Sequence, residues 1–145
     1  MADKFNLTRF VSAQNAVYQT VMEELKAGRK RTHWMWYIFP QLKHLGRSAN
    51  AKFYGLSDAD EAKAYLNHPI LGQRLREVSE TMLSLPTDNA VEVFGGIDSH
   101  KLKSSMTLFD SVSPNDIFSK ILEKYFQSCL DPLTQKLLAQ TNDSN

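Results

Sequence analysis

Apolar residues recur at three- and four-residue steps through nearly the whole chain, and each such stretch is bounded by a helix start or stop signal. From Thr8, the residues Phe10, Val17, Tyr18, Val21, Met22 and Leu25 form one stripe that Gly28 ends. "SDADEAKAYLNH" opens with Ser57 and Asp60 in capping-box spacing, and puts Ala62, Tyr65 and Leu66 on one side. "HPILGQRLREVSETMLSL" has Pro69 at a first-turn position, then a Leu71, Leu75, Val78, Met82 stripe closed by Pro86. Asp98 is placed to cap "SHKLKSSMTLF", whose Leu102, Met106 and Phe109 share a face. "SPNDIFSKILEKYF" repeats a Ser-then-Pro start, and "DPLTQKLLAQ" combines an Asp131 cap with Pro132 at the first position. No β-branched run alternates over the roughly five or six positions a strand needs. This pattern predicts an all-α fold of seven or eight short helices.

The chain has 145 residues, a length that predicts one domain over 1–145 with an ordered core of about 5–140 and a frayed polar tail, "TNDSN". A formal charge of +1 argues against a nucleic-acid binder that works through a whole-domain positive field. Cys129 is the single cysteine, so no intramolecular disulfide forms and a reducing compartment is expected. "MADKFNLTRF" is polar from the start, and the longest apolar run falls far short of the ~20 residues of a membrane span. The expectation is a cytoplasmic monomer that makes no membrane contact.

The densest stretch is "GRKRTHWMWYIFPQLKHLGRS". On a helix, Trp34 and Trp36 stand roughly 200° apart, so they serve different surfaces. Trp36, Ile38 and Phe39 read as core, while Trp34 is expected to border a cavity. Gly46 permits a turn, Ser48 starts a helix, and Arg47 adds a two-pronged donor between them, which describes an anion pocket. Trp34 would stack a planar group, Arg47 and Ser48 would hold a phosphate, and His33 and Gln41 would add directional hydrogen bonds. If the protein is an enzyme, His33 is the best general acid–base residue, because histidine titrates near neutral pH. The expected partner is a nucleotide-like small molecule, with nucleic acid disfavoured. The competing reading is a module without chemistry, whose basic edge from Lys26 to Arg31 meets an acidic protein or nucleic acid.

Three further motifs carry less. "FGGIDSHK" resembles a phosphate cradle, but a capping Asp98 carboxylate would repel the phosphate. Lys101 and Ser105 share a helical face, as a Ser–Lys nucleophile pair would, and the spacing is common by chance. His33, His44, His68 and His100 have no close ligand spacing, so neither a metal nor another cofactor is expected.

The blocks "LTRFVSAQ", "ELKAGRKRTHWMWYIFPQLKHLGRS", "AYLNHPILGQRL" and "VFGGIDSHKLKSSMTLF" resemble, in order, those of the bacterial family called domain of unknown function 1810. The likeness runs from about Phe5 to Leu138. It departs at Asn6, where the family usually has an acidic residue, and at Gly96, where serine is common. The resemblance implies a compact, mainly helical domain and brings no catalytic residues, since the family has no established activity. The closing segment "EKYFQSCLDPLTQKLLAQTND" is also similar, more faintly, to the end of the NADAR family, which acts on ADP-ribose attached to guanine.

Overall fold

The computed structural model describes residues 3–143, with side chains through residue 140. Eight α-helices form in this range: α1 (Thr8–Lys26), α2 (Met35–Ile38), α3 (Ala49–Phe53), α4 (Ala59–Asn67), α5 (Leu71–Ser84), α6 (Ala90–Val112), α7 (Ile117–Phe126) and α8 (Pro132–Asp143). A 3-10 turn, Lys43–Leu45, lies between α2 and α3. The all-α expectation holds. Backbone pairing of strand type is confined, among the described residues, to one isolated bridge, Leu42 with Leu56. The tail "TNDSN" begins inside α8, whose backbone runs to Asp143; the rest of it lies outside the described residues.

α6 is the central element, packed on α4, α7 and α8, while α5 bridges α1, α4 and α7. Phe109 of α6 sits between Tyr65 and Phe118, at ring separations of 5.5 and 5.6 Å. All three are fully buried, and side chains of this size contribute roughly 1.5–3 kcal/mol each on burial.

Several helix starts are displaced from the places read in the sequence, each for a local reason. α4 is capped by Asp58, which accepts from the Glu61 N–H, while Glu61 reaches back to the N–H and hydroxyl of Ser57. α5 starts at Leu71, after Pro69, because His68 Nδ1 accepts from the N–H groups of Ile70 and Leu71. α7 is capped by Asp116, not by the preceding serine, whose hydroxyl instead donates to the Asp116 carboxylate. α6 starts nine residues earlier than expected, capped by Asn89, which accepts from the N–H groups of Val91 and Glu92, and it breaks at Gly95 with φ 81°. Asp98 is therefore not a helix cap. It pairs with Lys30 at 2.9 Å. The Asp131 cap of α8 is where the sequence puts it, accepting from Thr134 N–H at 3.1 Å.

The two tryptophans exchange the roles expected of them. Trp34 is fully buried against Phe39 and Phe94, and Trp36 is only half-buried. The helical projection fails because Trp34 is not in the helix. It is the residue before α2, with φ −139° and ψ 7°, so the 100° step between neighbours does not apply across it.

Candidate functional site

The buried Glu24 carboxylate positions the aromatic segment. Its Oε1 accepts from the N–H of Arg31 at 2.8 Å, the N–H of Thr32 at 3.1 Å and the Trp34 indole at 2.9 Å. Oε2 accepts from the Thr32 hydroxyl at 2.7 Å. Burial alone would raise the pKa of this group, but these four donors outweigh it and hold it at about 2. With Trp34 fixed inward, α2 turns Trp36 outward.

Trp36 then forms one wall of a narrow cleft, completed by Phe39 and Gln41, by Tyr54 and Gly55 after α3, and by Lys101 of α6. The cleft has a free volume of about 10 Å³, room for one water. Lys101 Nζ lies 5.7 Å from the Trp36 ring centre, within cation–π range. It stands 3.8 Å from Asp98, a carboxylate already paired more closely with Lys30, whose Nζ also lies 5.1 Å from the Trp34 ring. Two ammonium groups therefore share one carboxylate, and the surplus positive charge falls on the partly exposed Lys101 at the cleft. Neither the Lys101 ammonium nor the Gln41 side-chain amide makes a hydrogen bond among the described residues.

Other hollows are roomier, and several of their polar groups are already engaged. The hollow of about 360 Å³ between the start of α6 and the end of α7 is lined by Asn89, which caps α6, and by Lys124. The Lys124 ammonium donates to the carbonyls of Met82, Leu83 and Leu85, at 3.1, 3.0 and 2.6 Å, and so uses all three of its protons. The hollow of about 430 Å³ near the N-terminus contains Asp3, whose carboxylate accepts from Leu7 and Thr8. Volume is poorer evidence for a binding site than free donors in a desolvated place.

Of the residues singled out in the sequence, Gln41 lines the cleft. Trp34 is sealed in the core with its indole N–H committed. Ser48 is exposed and caps its own helix, accepting from Ala51 N–H at 3.1 Å. That helix, α3, is only five residues long and offers little dipole. Arg47 is exposed and makes no hydrogen bond or ion pair among the described residues; His33 is exposed ahead of α2. On the basic edge, Lys30 is drawn into the ion pair with Asp98, leaving Lys26, Arg29 and Arg31 exposed. Ser105 is fully buried, whereas Lys101 reaches the cleft, so the pair does not present a common accessible face. In the sequence, Lys101 stands out only in the Ser–Lys pairing, and Tyr54 does not stand out at all. Tyr54 comes from a segment that meets α2 only through tertiary packing, and no spacing could place it there. Among the described residues, no three His, Cys, Asp or Glu side chains gather where a metal could be held. No helix there is long and apolar enough to cross a membrane.

No protein of curated function matches the chain. A solved structure does: the crystal structure, at 1.38 Å, of the conserved hypothetical protein Rv1873 from Mycobacterium tuberculosis. It shares 48% sequence identity, with a TM-score of 0.92 over 94% of this chain and 99% of that one. The family model described as "Protein of unknown function (DUF1810)" matches residues 4–138, nearly the full length and every helix from α1 to α7. With that extent of match, and an all-α fold shared with a solved relative, the chain belongs to the DUF1810 family.

Proposed function

We propose that the protein binds a small anionic planar metabolite at the Trp36 cleft. The observation that carries this reading is the Lys101 ammonium, which has only a share of the Asp98 carboxylate and no hydrogen bond of its own, beside the half-buried face of Trp36. In that setting an ammonium attracts a carboxylate or phosphate oxygen, the Gln41 amide supplies a directional bond, and Trp36 and Tyr54 cover a planar group. Nucleotide and ADP-ribose derivatives combine these two properties. Arg47, exposed on the loop that closes one side of the cleft, is the candidate for holding a second anionic group. The reading assigns binding rather than a reaction, and His33 is not needed for it.

A thermal-shift panel of inorganic phosphate, AMP and ADP-ribose tests the proposal. At least one should raise the melting temperature by roughly 5 °C at saturation, and Lys101→Met should remove that rise without loss of folding. A shift that survives Lys101→Met would place the ligand elsewhere. A shift that collapses between low and moderate salt would favour the exposed basic edge of Lys26, Arg29 and Arg31 instead.

A further inference from the structure

The cleft as it stands admits about one water, so any larger occupant needs a wall that moves. One wall is built for it. Residues 43–55 leave and rejoin the body at a single point, where Lys43 N–H donates to Leu56 O at 2.7 Å and Leu56 N–H donates to Gln41 O at 2.9 Å. Leu42 and Leu56, on either side of this closure, are core residues. Between them the chain forms an Ω-type loop that packs mainly on itself. Its helix α3 rests on the 3-10 turn, and Gly46 lies so close to Ala51 that a Cβ there would come within 2.5 Å of the Ala51 Cβ. Only Ala51 and Gly55 are buried in the whole stretch, and both line the cleft. The loop is thus attached to the body through the cleft it covers, through the Tyr54 ring, which lies 5.9 Å from that of Phe10 and 5.1 Å from that of Tyr37, and through a contact between the 3-10 turn and α8.

One side chain holds it from outside. Arg9 of α1 donates through Nε to Phe53 O at 2.8 Å and through Nη2 to Gly55 O at 3.1 Å. Nη2 also donates to Glu61 at 2.9 Å, and Nη1 donates to the carbonyls of Phe5 and Asn6. Among the described residues, and apart from the closure at its base, Arg9 supplies all the hydrogen bonds that tie this loop to the rest of the chain. We propose that residues 43–55 form a lid over the Trp36 cleft and that Arg9 is its latch. When the latch releases, Tyr54 swings off the cleft while the Leu42–Leu56 closure stays in the core as the hinge.

The lid rests on the reading of the cleft as a binding site, but it is testable with no ligand present. Hydrogen exchange should show the amides of Ala51, Lys52 and Tyr54 exchanging at least about 100-fold faster than those of the buried half of α6. Arg9→Met should speed the loop amides by a further ~10-fold and leave α6 unchanged. Should Arg9→Met fail to fold, Glu61→Gln, which removes the charge facing the guanidinium and keeps an amide oxygen able to accept from Ser57, should give the same pattern in weaker form. Loop amides as slow as α6 would overturn the lid. Equal acceleration of loop and α6 would overturn the latch, since Arg9 would then be a staple of the whole fold. A mobile, Arg9-dependent loop in a protein whose melting temperature no ligand of the panel moves would leave the lid standing and defeat the proposed ligand.

Discussion

The indole N–H of Trp34 donates to Glu24 Oε1 at 2.9 Å, ten residues back in the chain, with both side chains buried. This bond fixes which tryptophan faces inward, and therefore which one lines the cleft. It should also set the acid stability of the fold. The Glu24 pKa is about 2 in the folded chain, below the ordinary 4.5. Its stabilising contribution is then complete above about pH 4.5 and lost as pH falls through about 2. Asp116 shares that window: the Ser113 hydroxyl, Arg76 and the Ile117 N–H outweigh its burial and hold it at about 2. Glu24→Gln should lower stability at neutral pH and flatten, without abolishing, the fall in melting temperature between pH 5 and pH 2. An unchanged acid slope would mean that the carboxylate is not ionised against these donors.

The two tryptophans should separate cleanly in mutants. Trp34→Ala removes a fully buried side chain and is expected to cost about 3–5 kcal/mol, read from denaturant unfolding. Trp36→Ala, at a half-buried wall, should cost less than half as much. Acrylamide should quench Trp36 and barely reach Trp34. Equal quenching of the two single-tryptophan variants would contradict the assignment.

Lys124 acts as a three-pronged cap on the end of α5, and Tyr125 adds a hydroxyl to the same Met82 carbonyl at 2.6 Å. Lys124→Met keeps the apolar stem and leaves two of the three carbonyls without their donor. The expected loss is about 1.5–3 kcal/mol, measured by thermal or urea unfolding. Lys124→Arg should not restore it, because a planar fork cannot point at three convergent oxygens.

Glycines divide by what a methyl group would meet. A Cβ on Gly72 would lie 2.0 Å from the Leu66 carbonyl oxygen, so Gly72→Ala must push α5 away from α4 and should destabilise by more than ~2 kcal/mol. A Cβ on Gly96 meets nothing within 4 Å, and the residue is exposed in α6 with an ordinary φ. Gly96→Ala should therefore stabilise by about 0.5–1 kcal/mol. Melting curves of the two variants, run side by side, check both signs.

Periodicity and helix punctuation were enough to read the all-α class and the stripes Phe10–Val21–Leu25, Leu71–Leu75–Val78–Met82 and Leu102–Met106–Phe109, all of them buried. These features are local: a 3.6-residue repeat determines its own buried face wherever the helix packs. Caps were less legible, because Ser57 and Asp58, or Ser113 and Asp116, compete for one set of N–H groups, and packing against neighbouring helices selects between them. The candidate site was legible only in part. "HWMWYIFPQ" marks the right segment and Gln41 stands in the cleft, but the face it presents depends on Glu24, and its cation, Lys101, comes from a helix more than sixty residues later. A sequence records which groups could pair. Only the folded chain, where Asp98 is claimed by Lys30 and Arg9 by carbonyls and Glu61, decides which groups are left free to bind anything else.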